Sequence, residues 1–236
     1  MALDPALKAN SEMLQVKTKA SVVAGNILKY EFGSYRVISS KMDWGSSTTG
    51  STMFGNLETM ESGQKSSFKM TVNETDTISA NLSLHVQSDY VWSKYWHIKN
   101  SALSYQEEAD LKSTTKNLLA IISLPSDTTA WNMVYVSRMN PDSSILVKKY
   151  GSLFNDQITI EIGEVVDWEN QKAGKWALTK GFEFYEDGVA IAAVQSPQDT
   201  FKKKLVWMHN GLDEKKKKIL ATAIVVLMSY TTYYAN

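Results

Sequence analysis

From Ile219 to Met228 the chain reads Ile-Leu-Ala-Thr-Ala-Ile-Val-Val-Leu-Met, ten residues in which Thr222 alone is polar. A helix on a protein surface keeps one polar face, whereas here every face is apolar, so the segment has to be enclosed on all sides by protein or by lipid. Ile219, Leu220, Ala223, Ile224, Val226 and Leu227 are its expected core contacts. The stretch from Ile219 to Ala235 is 17 residues, the short limit for crossing about 30 Å of hydrocarbon. Thr222, Ser229, Tyr230, Thr231 and Thr232 make it a poor membrane segment, and a helix buried in protein is the stronger reading. Each fully buried Ile, Leu, Val or Met stabilises by roughly 1.5 to 3 kcal/mol before ordering entropy is charged.

The rest of the chain supplies strands. Met13 to Lys19, Ser34 to Ile38, Ser67 to Val72 and Ile78 to Val86 alternate apolar and polar residues or are rich in β-branched and aromatic ones. So do Trp131 to Val136, Ile145 to Lys149, Gln157 to Glu164, Lys175 to Leu178, Gly181 to Tyr185, Val189 to Gln195 and Lys204 to Met208. Asp187-Gly188 between two such runs marks a tight hairpin. Gly45 to Gly55, dense in Ser, Thr and Gly, reads as a loop or a wide hairpin end. Ser101 to Lys112, with Ala, Leu, Gln and Glu and a Ser104-to-Glu107 cap, predicts a short helix.

An open sheet covers a helix on one side only. Enclosing it requires a closed antiparallel barrel, which also removes its own edges. The expectation is a mainly β protein: a short lead over 1–12, then one domain over 13–236 in which strands form a closed antiparallel β-barrel around a hydrophobic C-terminal α-helix. No linker and no repeat period divides it.

The final hairpin, Gly181-Phe182-Glu183-Phe184-Tyr185-Glu186-Asp187-Gly188-Val189-Ala190-Ile191-Ala192, is followed by a strand, the Leu212-Asp213 turn, a Lys-rich helix start and an apolar helix ending in Tyr230. This order, over about Trp131 to Tyr230, resembles the tubby C-terminal-like superfamily, nearest its phospholipid scramblase and LURP-one-related branches. The resemblance implies a barrel threaded by the C-terminal helix. Scramblases carry an acidic, calcium-associated segment before that helix, whereas this chain has Phe201-Lys202-Lys203-Lys204-Leu205. A basic run cannot supply the oxygen ligands calcium needs, so calcium binding is not implied.

No constellation points to catalysis. Gly45 to Thr52 approaches a phosphate-binding loop, but Ser51 stands where the lysine belongs and the strand-to-helix context is missing. Glu164, Asp167 and Glu169 read as a polar strand end. His85, His97 and His209 lack ligand spacing, there is no Gly-x-Ser-x-Gly elbow, and the chain has no cysteine, which removes thiol chemistry. No catalytic residue, metal or cofactor is expected. The sequons at Asn73 and Asn81 read as chance.

Lys+Arg and Asp+Glu both number 25, so no global field draws the chain to nucleic acid and any attraction must be local. Lys202, Lys203 and Lys204, with Lys215, Lys216, Lys217 and Lys218, form two basic runs that the barrel is expected to hold near one end. Their functional reading is attraction to anionic lipid headgroups, at about 1 kcal/mol per basic residue. Their structural reading is solubilisation of an edge and of a helix entrance. The reading is a non-catalytic, cytoplasmic binding or scaffold module, monomeric, with anionic phospholipid or protein as partner and peripheral membrane contact. The first rival is a membrane-inserted, scramblase-like or tail-anchored protein using Ile219 to Tyr234. The second is a small-ligand carrier or enzyme with an aromatic site at Trp92, Tyr95, Trp96 and Trp131.

Overall fold

The computed structural model describes residues 3–19, 29–43, 45–51, 57–73, 76–99, 102–125, 127–139, 149–166, 179–196 and 203–233, with 19, 51, 57, 91–99, 102–109, 139, 149, 166, 179–180 and 232–233 described by backbone and pairing. The elements are α1 (Pro5–Ala9), β1 (Ser11–Gln15), β2 (Lys17–Lys19), β3 (Lys29–Phe32), β4 (Tyr35–Met42), β5 (Ser46–Ser51), β6 (Leu57–Val72) and β7 (Asp76–Lys99). They continue as β8 (Ala102–Ser123), β9 (Trp131–Met139), β10 (Lys149–Phe154), β11 (Thr159–Val166), β12 (Thr179–Glu186), β13 (Val189–Gln195), β14 (Leu205–His209) and α2 (Glu214–Tyr233).

All strands belong to one antiparallel sheet whose path runs from β1 through β14 and back down the chain to β2, with β5 attached to β6. The two ends of that path are halves of a single segment. β1 pairs with β14, from Ser11↔His209 to Gln15↔Leu205, while β2 pairs with β3, from Lys17↔Glu31 to Lys19↔Lys29. Only Val16 lies between them, and its N–H donates to the Lys204 carbonyl at 3.0 Å. One N-terminal strand thus bridges both edges and closes the barrel, which leaves neither edge to template aggregation.

Inside the barrel lies α2. Its residues Ile219 to Met228 are fully buried, and they share one core cluster with inward-facing positions such as Phe32, Met70, Leu84, Ile122, Tyr135, Leu153, Phe184 and Val206. The hydroxyls in this apolar column use the helix's own backbone: Thr222 Oγ1 donates to the Lys218 carbonyl at 2.9 Å and Ser229 Oγ to the Val225 carbonyl at 2.8 Å. Buried donors are therefore satisfied without a polar partner on the wall.

The lead folds onto the outside. Asp4 caps α1 by accepting from the Ala6 and Leu7 amides at 2.8 and 3.0 Å, with Pro5 in the first turn, where its missing N–H costs nothing. Leu7 is buried against Ala190, Ala193 and Trp207 on the outer face of β13 and β14.

One local expectation is refined and another fails. Gly45 to Gly55 reads as a loop or a wide hairpin end; of these residues Ser46–Ser51 is β5, paired antiparallel with the following strand β6 from Ser46↔Gly63 to Ser51↔Glu58. Its ladder is made by backbone groups, which a composition of Ser, Thr and Gly conceals. Ser101 to Lys112 was expected as a helix, but Ala102–Ser123 is a 22-residue strand paired with β7. The strand runs expected at 145–148 and 175–178 lie outside the described residues.

Candidate functional site: the two ends of the barrel

The barrel has a near end, where α2 begins, and a far end, where α2 finishes. The near end carries the connections β3–β4, β6–β7, β8–β9, β10–β11 and β12–β13. Asp187-Gly188 forms one of them, with φ of 51° and 77° and Glu186 paired to Val189 across a two-residue turn. Both central residues have positive φ, as the twist-matched hairpin turn requires.

Here the lysines of α2 are engaged. Lys215 Nζ meets Asp127 Oδ2 at 2.8 Å, Lys216 Nζ meets both Glu186 oxygens at 2.8 Å, and Lys218 reaches Asp76. Lys217 pairs with Glu214 one turn back at 3.1 Å. Asp127, Glu186 and Asp76 belong to three different connections or strand starts of the rim, so three lysines tie the helix to the barrel mouth. The Lys215 ammonium holds the Asp127 carboxyl below its usual range, against the opposing effect of burial. Asp213 caps the helix by accepting the Lys216 amide at 2.7 Å, and Glu214 sits in the first turn. These two acids offset the unfavourable placing of lysines at a positive helix end.

Lys203 and Lys204 lie elsewhere. They precede β14, whose far terminus leads to α2, so the length of a strand separates them from Lys215 to Lys218. The two runs are therefore not gathered at one end, and Lys202 lies outside the described residues. Sequence adjacency misled because β14 traverses the barrel wall between them. Lys204 Nζ sits 5.2 Å from the centre of the Tyr30 ring, and the Tyr30 hydroxyl donates to the Met228 carbonyl at 3.3 Å, near the end of α2. Burial lowers the Lys204 amine to about 8.

At the far end the interior turns polar. Tyr135 and Tyr230 pack edge to face at 5.4 Å. Burial raises both phenols, Tyr230 to about 12; Glu164 accepts the hydrogen bond of Tyr135, and Ser137 is hydrogen-bonded to Tyr230. Ser196 Oγ and Thr231 Oγ1 are 2.6 Å apart. The register adds charge to this level. Ser137 pairs with Lys116 on one side and with Lys149 on the other, and all three share the parity of the core-lining residues of their strands. Lys116, Lys149 and Lys204 thus occupy inward-parity positions at the end where α2, with no basic residue in its last turn, presents its negative pole. Lys116 and Lys149 had no signal in sequence, because their strands are brought together only by the barrel.

The other singled-out residues disperse. Trp131 is buried at the near end, in register with Ile122 and through it with Ala80. Trp92 lies twelve residues further along β7 than Ala80, about 40 Å at 3.3 Å per residue, so Trp92, Tyr95, Trp96 and Trp131 share no pocket. Glu164 is at the far end, while Asp167 and Glu169 lie outside the described residues. His85 is on the exposed face of β7, and His209 Nδ1 accepts the Gly211 amide at 3.0 Å. A cleft of about 170 Å³ beside the β3–β4 turn contains the Arg36–Glu31 pair, 3.2 Å apart. Among the described residues no group of three or more His, Asp and Glu could hold a metal ion, and no helix is long and apolar enough to cross a membrane.

The fold and its two ends define a class, a helix-threaded antiparallel barrel with ion-paired lysines at one mouth and a lysine-bearing polar mouth at the other. No protein-family model, curated protein or solved structure matches the chain.

Proposed function

We propose that the chain is a non-catalytic, tubby-like binding module that works in the cytoplasm at the periphery of a membrane and engages anionic phospholipid headgroups through the far end of its barrel. The observation that carries this is the register that puts Lys116 and Lys149 on either side of Ser137, at the end where α2 finishes and Lys204 lies beside Tyr30. Positive charge at that end complements the negative pole of the helix. A phosphate group, with more charge and more acceptor oxygens, competes for the same ammonium groups.

The tail-anchored and scramblase-like readings require α2 to leave its enclosure, exposing some ten apolar side chains and emptying the barrel. That cost, at roughly 1.5 to 3 kcal/mol per large side chain, exceeds the stability of an ordinary domain. The test is co-sedimentation with neutral vesicles and with vesicles containing phosphatidylserine or phosphoinositide, at low and at raised salt. Binding should be confined to the anionic vesicles, weaken with salt, and be lost in K116Q/K149Q/K204Q but kept in K215Q/K217Q. Equal, negligible binding to both vesicle types would refute the reading.

A further inference from the structure

Among the described residues, the strands β7 and β8 outrun the rest of the barrel. β9 accompanies β8 only from Thr114 to Ile122, and β6 accompanies β7 no further than Val91. From Trp92 to Lys99 the two strands continue as a hairpin paired to one another, extending roughly 26 Å at 3.3 Å per residue. The arm leaves from the far end, the end that carries Lys116, Lys149 and Lys204.

Its two faces differ in composition. The face of β7 that lines the interior at Ala80, Leu82 and Leu84 continues by alternation through Trp92, Trp96 and Ile98, whose register partners are Ala109, Tyr105 and Leu103. In the middle of this face Lys94 is opposite Glu107. The other face carries Ser93 opposite Glu108, Tyr95 opposite Gln106 and His97 opposite Ser104. The core-side face of the barrel wall thus runs on, rich in Trp and Tyr, past the point where α2 fills the barrel.

The arm is also tied to the barrel at its root. Asp89 accepts from Thr59 of β6 at 3.0 Å, from Ser113 of β8 at 2.7 Å and from Gln87 at 3.4 Å. These donors, Ser113 first, hold its carboxyl below the usual range against burial, with Arg138 adding to them. Three strands are joined beside the irregularity at Asp89/Tyr90.

We propose that this hairpin is a membrane-docking arm whose Trp92, Trp96 and Tyr105 face lies in the headgroup region of the bilayer that the far-end lysines contact. Three observations select this occupant. The arm and the lysines share one end of the molecule, so a single surface meets both. Indole and phenol groups favour the interface over the hydrocarbon interior. The Lys94–Glu107 pair at the centre of the face is costly at the bilayer midplane and tolerable among headgroups, which sets the depth. The arm's formal charge cannot drive the contact, since Lys94 and Lys99 are outnumbered by Glu107, Glu108 and Asp110. Its contribution is therefore resistant to salt, unlike that of the lysines.

The inference rests on the proposed lipid-binding function, and the test separates the two. The full chain and W92S/W96S are compared in co-sedimentation with phosphatidylserine vesicles across a salt series, with tryptophan quenching by brominated lipid as a second readout. The wild type should be quenched and keep a salt-resistant fraction of binding. W92S/W96S should partition about tenfold more weakly at high salt, lose most of the quenching, and keep its unfolding midpoint. Unchanged salt-resistant binding and unchanged quenching in the variant would overturn the arm and leave the lysine reading standing. Absent binding by the wild type would overturn both, and a dimer in sedimentation equilibrium that W92S/W96S disperses would assign the face to a second copy of the chain instead.

Discussion

Replacing Leu227 by alanine tests the enclosure of α2 at one of its fully buried positions. Leu227 is fully buried, with its neighbours on every side supplied by strands of the same barrel. Removing its branched end leaves a cavity that the closed wall cannot collapse into, because the strands are held by ladders on both sides. The expected loss is about 2 to 5 kcal/mol, the range for Leu→Ala in a packed core. The matching control is Leu119→Ala on the outer face of β8, where the side chain is 49% exposed; that change should cost less than about 1 kcal/mol. Urea unfolding followed by tryptophan fluorescence reads both. With a slope of about 3 kcal/mol per molar, L227A should lower the midpoint by roughly 1 M without altering the slope, and L119A should barely move it. Equal shifts for the two variants would refute the enclosure, since only a wall around α2 makes the positions differ.

Gly151 faces Tyr135 and Ile162 so closely that an alanine methyl would stand 2.9 Å from Tyr135 Cδ2 and 3.1 Å from Ile162 Cβ; G151A should destabilise by about 1 to 3 kcal/mol in the same unfolding assay. A double-mutant cycle on Lys216 and Glu186, whose side chains are 22% and 21% exposed, should give a coupling of about 1 kcal/mol. Asp127 has a depressed carboxyl, so its contribution is complete above the ordinary Asp value and fades as pH falls through the folded one. D127N should flatten the acid side of a melting-temperature profile below about pH 4. Lys204 has linkage of the same sign at higher pH, because burial disfavours its charged form. Its folded amine titrates near 8 against 10.5 in the unfolded chain, the unfolded state binds more protons between those values, and stability should rise with pH across that window and be flatter in K204M.

The parts of the fold visible in the sequence are those set by local pattern. The run from Ile219 to Met228, polar only at Thr222, implied an enclosed helix, and the need to enclose it implied a closed barrel. Asp187-Gly188 marked its hairpin because positive φ at two successive residues limits the choice of side chain. What was missed is set by pairing at a distance. Ala, Leu, Gln and Glu in Ser101 to Lys112 favour a helix in isolation, but pairing along β7 with registers such as Tyr95↔Gln106 overrides that preference. Nothing local to Val16 indicates that one strand changes partners there. The same holds for the charges: Lys218 meets Asp76 across 142 residues of chain, so a lysine run that reads as a free patch is an ion-paired clamp. The lysines of the far end, Lys116 and Lys149, are 33 residues apart in sequence and share one level of the barrel only because Ser137 pairs with both.

The most direct test of the account is amide hydrogen exchange of the intact chain with and without phosphatidylserine vesicles. Residues 219 to 228 should exchange slowest in both conditions, through global unfolding alone. Vesicles should add protection along 86–99, 102–116 and around Lys204, and leave the Asp187-Gly188 turn and 213–218 unchanged. Protection confined to 213–218, or rapid exchange in α2, would contradict it.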